Sequence, residues 1–255
     1  MIPIPKAGPG ASFPPIALRR TDRVFVLTGA GISAESGVAT FRDANGLWEQ
    51  HRVEDVATPE GFAADPRLVW RFYSERRAQV ARVHPNPAHV ALARLEQQLG
   101  DQLFLCTQNV DPLHEKGGSR RVHHMHGELC RTRCESCDRP AFEDAQLYFD
   151  EPPRCDRCGG RLRPAVVWFG EIPLGMEEIF AAVARCDLFL TVGSSGAVHP
   201  AAALVSHLRN HPSPDTGRYA RAVYLGLERP ENAHAFDECR LGKAGELLPS
   251  LFALD

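Results

Sequence analysis

Two cysteine pairs constrain this chain more than any other feature. Cys134-Glu-Ser-Cys137 and Cys155-Asp-Arg-Cys158 are C-x2-C knuckles separated by residues 138–154. Each knuckle places two thiolates on one tight turn, and two facing turns give four sulfurs in the tetrahedral set that suits zinc. With four protein ligands no coordination position is left for water or substrate, so the ion staples a short segment that lacks its own core. The expected ligands are Cys134, Cys137, Cys155 and Cys158, in a module over about 129–163. Cys130 could compete as a ligand but breaks the spacing. Cys106, Cys186 and Cys239 read as core or surface thiols.

Around this module the chain alternates apolar strands with helices. Arg23–Thr28, Leu103–Thr107, Ala165–Phe169, Leu188–Val192 and Ala222–Leu225 read as buried strands. Asp55–Arg82, Asn86–Leu99, Met176–Arg185, Pro200–Leu208 and Gly245–Leu251 have helical patterning, and 211–217 is a polar surface loop. This order predicts an α/β fold: a doubly wound, Rossmann-like parallel sheet with the small zinc-binding module and a helical insertion over about 44–88. The proline-rich residues 1–20 read as a loose arm, with the catalytic domain over 21–255.

The net charge of -3 gives no support for nucleic-acid binding or a polybasic membrane patch. No apolar run reaches the length of a membrane span. The start carries no uninterrupted apolar signal core. Eight cysteines without such a signal point to a reducing compartment, the cytoplasm.

Gly29-Ala30-Gly31-Ile32-Ser33-Ala34 fits G-x-G-x-x-A between a strand and what reads as a helix start. Glycine lets backbone N–H groups approach a pyrophosphate, and a helix N-terminus adds a favourable dipole. A dehydrogenase would follow with a second strand ending in an acid about 20 residues on. Residues 39–48 are instead polar and glycine-containing, which reads as a lid. The dinucleotide is therefore expected to serve something other than hydride transfer.

Two further strand ends are polar: Gln108, Asn109 and Asp111 after one, Gly193, Ser194 and Ser195 after another. Ligands of parallel sheets bind at such carboxyl ends, although Asn109 and Asp111 could also be a turn or cap. His126, just before the cysteine module, is a general-base candidate. His123 and His124 read as solvated.

These ordered motifs resemble the sirtuins, NAD-dependent protein-lysine deacylases. The resemblance covers about 22–250 and rests on Gly29–Gly37, Thr40-Phe-Arg42, Thr107–Asp111, His126-Gly127, the four cysteines, Val167–Glu171 and Gly193–Ser195. It implies NAD as co-substrate, structural zinc, and acylated lysine on protein substrates; a monomer is expected. It implies that Ala30, Phe41, Arg42, Gln108, Asn109 and Asp111 surround NAD and its nicotinamide ribose, that Gly193, Ser194 and Ser195 hold the adenosine side, and that Gly29, Gly31, Ser33, Trp48, Leu227 and Ala244 also bind NAD. His126 would be the catalytic base, with Asn109 beside it. Val167, Phe169 and Gly170 would pair with the substrate backbone as an added strand. The implied reaction starts with attack of the acyl oxygen on the ribose carbon as nicotinamide leaves. It ends in free lysine and O-acyl-ADP-ribose.

Tyr73 and Arg76 stand three apart on one helix face, which by spacing alone reads as a solvated face. A phenol and a guanidinium together can bind a carboxylate. The resemblance extends here to the branch that removes succinyl and malonyl groups, with Ala57 as the small residue widening the same pocket. Acidic-acyl removal is expected, with deacetylation as a second activity.

Departures from the family pattern are Pro112 in Asp111-Pro-Leu-His114, Ser194 for threonine, Gly226 for asparagine, and Cys130 for a bulky apolar residue. Three alternatives stay open: a zinc deaminase using His126-Gly-Glu128 with Cys155 and Cys158, a non-catalytic NAD or acyl-lysine binding module, and an ADP-ribosyltransferase.

Overall fold

The structure is a computed structural model and describes residues 13–39, 47–48 and 51–255. Strands β1 (Ile16–Leu18) and β2 (Val24–Thr28) lead into two 3-10 turns, Ala30–Ile32 and Ala34–Ser36. A short antiparallel ribbon, β3 (Leu47–Trp48) and β4 (His51–Arg52), precedes helices α1 (Val53–Val56), α2 (Pro59–Ala64), α3 (Pro66–Arg82) and α4 (Pro87–Leu99). Then come β5 (Leu103–Thr107), α5 (Leu113–Lys116), β6 (Val122–His124), β7 (Gly127–Cys134), β8 (Phe142–Glu143) and β9 (Leu162–Val166). The chain closes with α6 (Met176–Arg185), β10 (Leu188–Val192), α7 (Leu204–Asn210), β11 (Arg221–Gly226), β12 (Glu238–Leu241), α8 (Ala244–Leu247) and β13 (Phe252–Leu254).

Six strands form one parallel sheet in the order β12-β11-β10-β2-β5-β6. Its middle strands are buried almost throughout because both faces are covered. Val24, Val26, Leu105, Leu190 and Val223 face α4 and the C-terminal turn through Leu92, Leu95 and Leu251. Phe25, Leu27, Phe189 and Ala222 face α6 and α7 through Ile179, Val183 and Leu204. Phe25 stacks between Phe104 and Phe189, with centroids 5.4 and 5.3 Å away. Thr28 is in register with Thr107 on one side and Val192 on the other. The loops after β2, β5 and β10 therefore leave the sheet side by side, at the point where strand order reverses, which is where open α/β sheets bind ligands.

A third core joins α1–α3 to the small sheet β8-β7-β9. Val56, Phe62, Trp70 and Phe72 are fully buried in it, each contributing about 1.5–3 kcal/mol of burial. Arg77 of α3 locks the two parts together. Its Nε donates to Leu129 O at 2.9 Å, Nη2 to Arg131 O and the Thr132 hydroxyl, and Nη1 to Gln146 O and Asp144. Arg77 and Asp144 are both buried, and losing one member of such a pair leaves an uncompensated charge.

Several expectations need correction. No α-helix starts at Ile32. Gly37 sits at φ +85° and ends the segment after two 3-10 turns, so the helix dipole invoked for the phosphates is absent. The helix expected over 55–82 is three helices. Thr58 caps α2 by accepting from Gly61 N, Asp65 caps α3 by accepting from Leu68 N, and each is followed by proline. The strand expected at 165–169 ends at Val166. Pro200–Leu208 begins as a 3-10 turn, and the last helix gives way to β13. The arm expected to be loose through residue 20 contains β1, which pairs with β13 and buries Ile16 and Leu18. Among the described residues no helix is long and apolar enough to cross a membrane.

Candidate active site and zinc centre

The four knuckle sulfurs lie within 4.8 Å of one another. Cys134 Sγ is 3.6 Å from Cys158 Sγ, and Cys137 Sγ is 3.9 Å from Cys155 Sγ. Zinc–sulfur bonds of about 2.3 Å in a tetrahedron put sulfurs about 3.8 Å apart, so the set fits the ion. Ser136 N and Gly160 N donate to Cys134 and Cys158 sulfurs at 3.3 and 3.4 Å, a pattern that favours thiolates. Cys130 and His126 are not in the group, which removes the cysteine–histidine deaminase set. Cys106, Cys186 and Cys239 are buried in the main core.

At the sheet's carboxyl end a cleft of about 920 Å³ opens between the three strand-end loops and the α3–small-sheet unit. Gly29, Ala30, Gly31, Ser33, Ala57, Tyr73, Arg76, Gln108, Asn109, Asp111, His126, Val167, Phe169, Gly170, Gly193, Ser194, Ser195, Leu227 and Ala244 all line it. Phe41 and Arg42 lie outside the described residues; Trp48 belongs to β3, and its side chain is likewise outside them.

The glycines have a packing reason. A Cβ on Gly31 would meet Gly193 Cα at 2.7 Å, and one on Gly29 would meet Ser194 Cα at 2.8 Å. The two loops touch backbone to backbone, with Gly31 N donating to Gly193 O at 2.8 Å. Only glycine permits that approach.

The polar floor is preorganised. Asn109 Nδ2 donates to Gly29 O and to the Ser33 hydroxyl, both at 3.1 Å, and Ser33 donates onward to Asp111 at 3.0 Å. Leu113 N also donates to Asp111. Burial pushes the Asp111 carboxyl up, against these two bonds. Gln108 Nε2 donates to Ser194 Oγ at 3.0 Å, joining the β5 and β10 loops.

His126 Nδ1 is 3.0 Å from Gln108 O. A carbonyl only accepts, so Nδ1 carries the proton and Nε2 keeps its lone pair. Burial lowers the His126 pKa and the carbonyl bond opposes it; the net shift is downward. His124, expected solvated, is half-buried between Asn109 O at 3.0 Å and Glu115 at 2.8 Å. Burial alone would lower its pKa, but the Glu115 bond and charge raise it. His123 is likewise engaged, with Nε2 bonded to Leu174 O.

At the acyl end, Tyr73 and Arg76 of α3 both face the cleft, with Ala57 nearby. Tyr73 is fully buried, and burial pushes its phenol pKa well above the usual range, so it stays protonated. Arg76 lies over the Phe72 ring at 4.7 Å, and its Nη2 is 3.5 Å from Glu75. Its Nε and Nη1 are buried and have no hydrogen-bond partner among the described residues. The Val167 and Phe169 N–H groups donate to His126 O and Ala57 O. Val110, Trp168, Tyr224 and Lys243 also line the cleft. Val110 and Trp168 fall inside the Thr107–Asp111 and Val167–Glu171 motifs without having been singled out; Tyr224 and Lys243 carried no pattern.

The Sir2 family model matches residues 29–200. The chain belongs to the Sir2 family. This sirtuin is 51% identical over 230 residues to an NAD-dependent protein deacylase of Yersinia pseudotuberculosis, which covers 89% of the chain and 80% of the relative. It is 50% identical over 235 residues to one of Pasteurella multocida, covering 91% and 97%. Among solved structures, it matches a Sir2 homologue in complex with NAD at 39% identity and a TM-score of 0.80, over 91% of this chain and 89% of the other. A Sir2 homologue mutant bound to ADP ribose matches at 38% identity and a TM-score of 0.81, over 91% of both chains.

Proposed function

We propose that this NAD-dependent protein deacylase prefers acidic acyl groups, succinyl and malonyl, on lysine, with acetyl as a second substrate. One observation carries the preference: the buried Nε and Nη1 of Arg76, which have no hydrogen-bond partner among the described residues, beside the Tyr73 phenol in the cleft. A buried guanidinium is costly unless its donors are satisfied. An acyl carboxylate satisfies them with charge-assisted bonds. An acetyl group offers nothing in return.

In this reading, NAD supplies the ribosyl carbon that receives the acyl oxygen and the nicotinamide that leaves. Ala30, Gln108, Asn109 and Asp111 hold the nicotinamide-ribose end, with Phe41, Arg42 and Trp48 joining from the 39–48 segment. Gly193, Ser194, Ser195, Leu227 and Ala244 hold the adenosine side. The Asn109–Ser33–Asp111 chain keeps donors and acceptors fixed before substrate arrives, which avoids reorganisation during the reaction. His126 Nε2 accepts a proton from a ribose hydroxyl while Nδ1 stays tied to Gln108. Val167, Phe169 and Gly170 line the substrate backbone. The reactive sugar must be kept from water, which would otherwise hydrolyse it. Zinc bound by Cys134, Cys137, Cys155 and Cys158 holds the small sheet, away from the chemistry. The same reading gives a monomer, and eight unbridged cysteines support a reducing compartment, the cytoplasm.

The test is Arg76→Met, which keeps bulk and removes the charge. The ratio of desuccinylation to deacetylation kcat/KM is expected to fall about a hundredfold, in line with loss of a charge-assisted pair. Equal losses on the two substrates would overturn the preference.

A further inference from the structure

The Tyr73 phenol does not stand alone in its pocket wall. Trp168, buried and two residues past the end of β9, donates its indole N–H to the Tyr73 oxygen at 2.9 Å. An indole nitrogen can only donate, so this bond fixes the phenol oxygen as an acceptor. The phenol's own proton must then lie off the Trp168–Tyr73 axis.

The indole is itself held on several sides. The Arg163 guanidinium carbon lies 3.3 Å from its ring centroid, and the Phe62 ring packs 5.2 Å away. Arg163 donates to both Glu171 carboxylate oxygens, at 2.7 and 2.9 Å, and to Val166 O at 2.9 Å. Trp168 N also donates to Glu171, at 2.7 Å. A cation over a desolvated indole face adds attraction and leaves the ring little freedom. Position 168 is thus rigid, and it is rigid toward one atom of the acyl pocket.

We propose that Trp168 is a positioning residue for acyl selectivity: its N–H sets the Tyr73 phenol so that phenol and Arg76 converge on an acyl carboxylate. The inference rests on the acidic-acyl reading and names a residue outside the carboxylate contact that it depends on. A bound carboxylate needs both donors aimed at once, and misplacement of one wastes the pair. An acetyl group makes no such demand, so the effect of Trp168 falls on the substrate ratio rather than on turnover in general.

Trp168→Phe keeps an aromatic ring for Arg163 and removes the N–H. The succinyl-to-acetyl kcat/KM ratio is expected to fall about tenfold, one hydrogen bond's worth, mainly through KM for the succinyl peptide. Tyr73→Phe should lower the ratio similarly, and the double variant should lose less than the product of the two, because both remove one interaction. If Trp168→Phe is poorly folded, Trp168→benzothienylalanine keeps the indole shape without the N–H and takes the same measurement. An unmoved ratio, or parallel losses on both peptides, would overturn the inference. Arg76→Met separates the two failures. If it collapses the ratio while the Trp168 variants do not, the acidic-acyl reading stands and the Trp168 role is wrong. If Arg76→Met leaves the ratio unmoved, both fall.

Discussion

His126 Nδ1 donates to the main-chain carbonyl of Gln108 at 3.0 Å. That single bond fixes the tautomer of the imidazole and turns its basic nitrogen toward the cleft. It also ties the base to the β5 loop, which carries Asn109 and Asp111. His126→Ala should lower kcat by about a hundred- to ten-thousandfold, the usual range for general-base loss, while thermal stability and zinc content hold.

The pH profile follows from the same residue. Burial lowers its pKa below the ordinary histidine value of 6.5. The neutral form is the active one, so activity should be flat above that value. Protonation shuts it off only at lower pH, and the acid limb of kcat/KM should fall below that of free imidazole. A limb above 6.5 would contradict the assignment.

Zinc should be stoichiometric, one ion per chain by elemental analysis, because the four sulfurs already form the tetrahedral set. Cys155→Ser should lose the ion, lower thermal stability and reduce solubility. The small sheet shares its core with Trp70 and Phe72 of α3, so the melting should spread to the acyl pocket. A metal-free variant with native stability would refute a structural role.

A buried histidine pair makes an acid-stability prediction. His89 and His114 are buried with rings 5.0 Å apart; His89 Nε2 and His114 Nδ1 have no partner among the described residues. Burial holds their pKa values down at about 4 and about 3. Unfolded histidines titrate at 6.5, so below that value the unfolded chain binds protons that the folded chain does not. Their stabilisation is present above 6.5 and is lost as pH falls toward 4 and then 3. Thermal denaturation between pH 7 and 4 should show that slope, and His89→Gln should flatten it.

Much of this was legible in the chain. The bounds of β5, β10 and α6 follow directly from runs of apolar residues, since a fully buried parallel strand and an amphipathic helix each leave a periodicity. The four cysteines and the cleft residues on the three strand ends were legible as motifs. The breaks at Thr58-Pro59 and Asp65-Pro66 were also written there, as a capping side chain before a proline, but helical periodicity on either side masked them. β1 and β13 were not legible. Each is three residues long, and they are strands only because the two ends of the domain meet. The place of His124 was hidden as well, since Glu115 reaches it through the fold. So were the Arg77 lock and the Trp168–Tyr73 bond, each joining a helix to a segment more than 50 positions away.

Nicotinamide release from NAD, measured with matched succinyl-lysine and acetyl-lysine peptides and a no-peptide control, tests the central claim most directly. The expected result is release that depends on peptide and is faster with succinyl. Faster release with acetyl would contradict the acidic-acyl pocket, and no release with either peptide would contradict the chemistry assigned to the cleft.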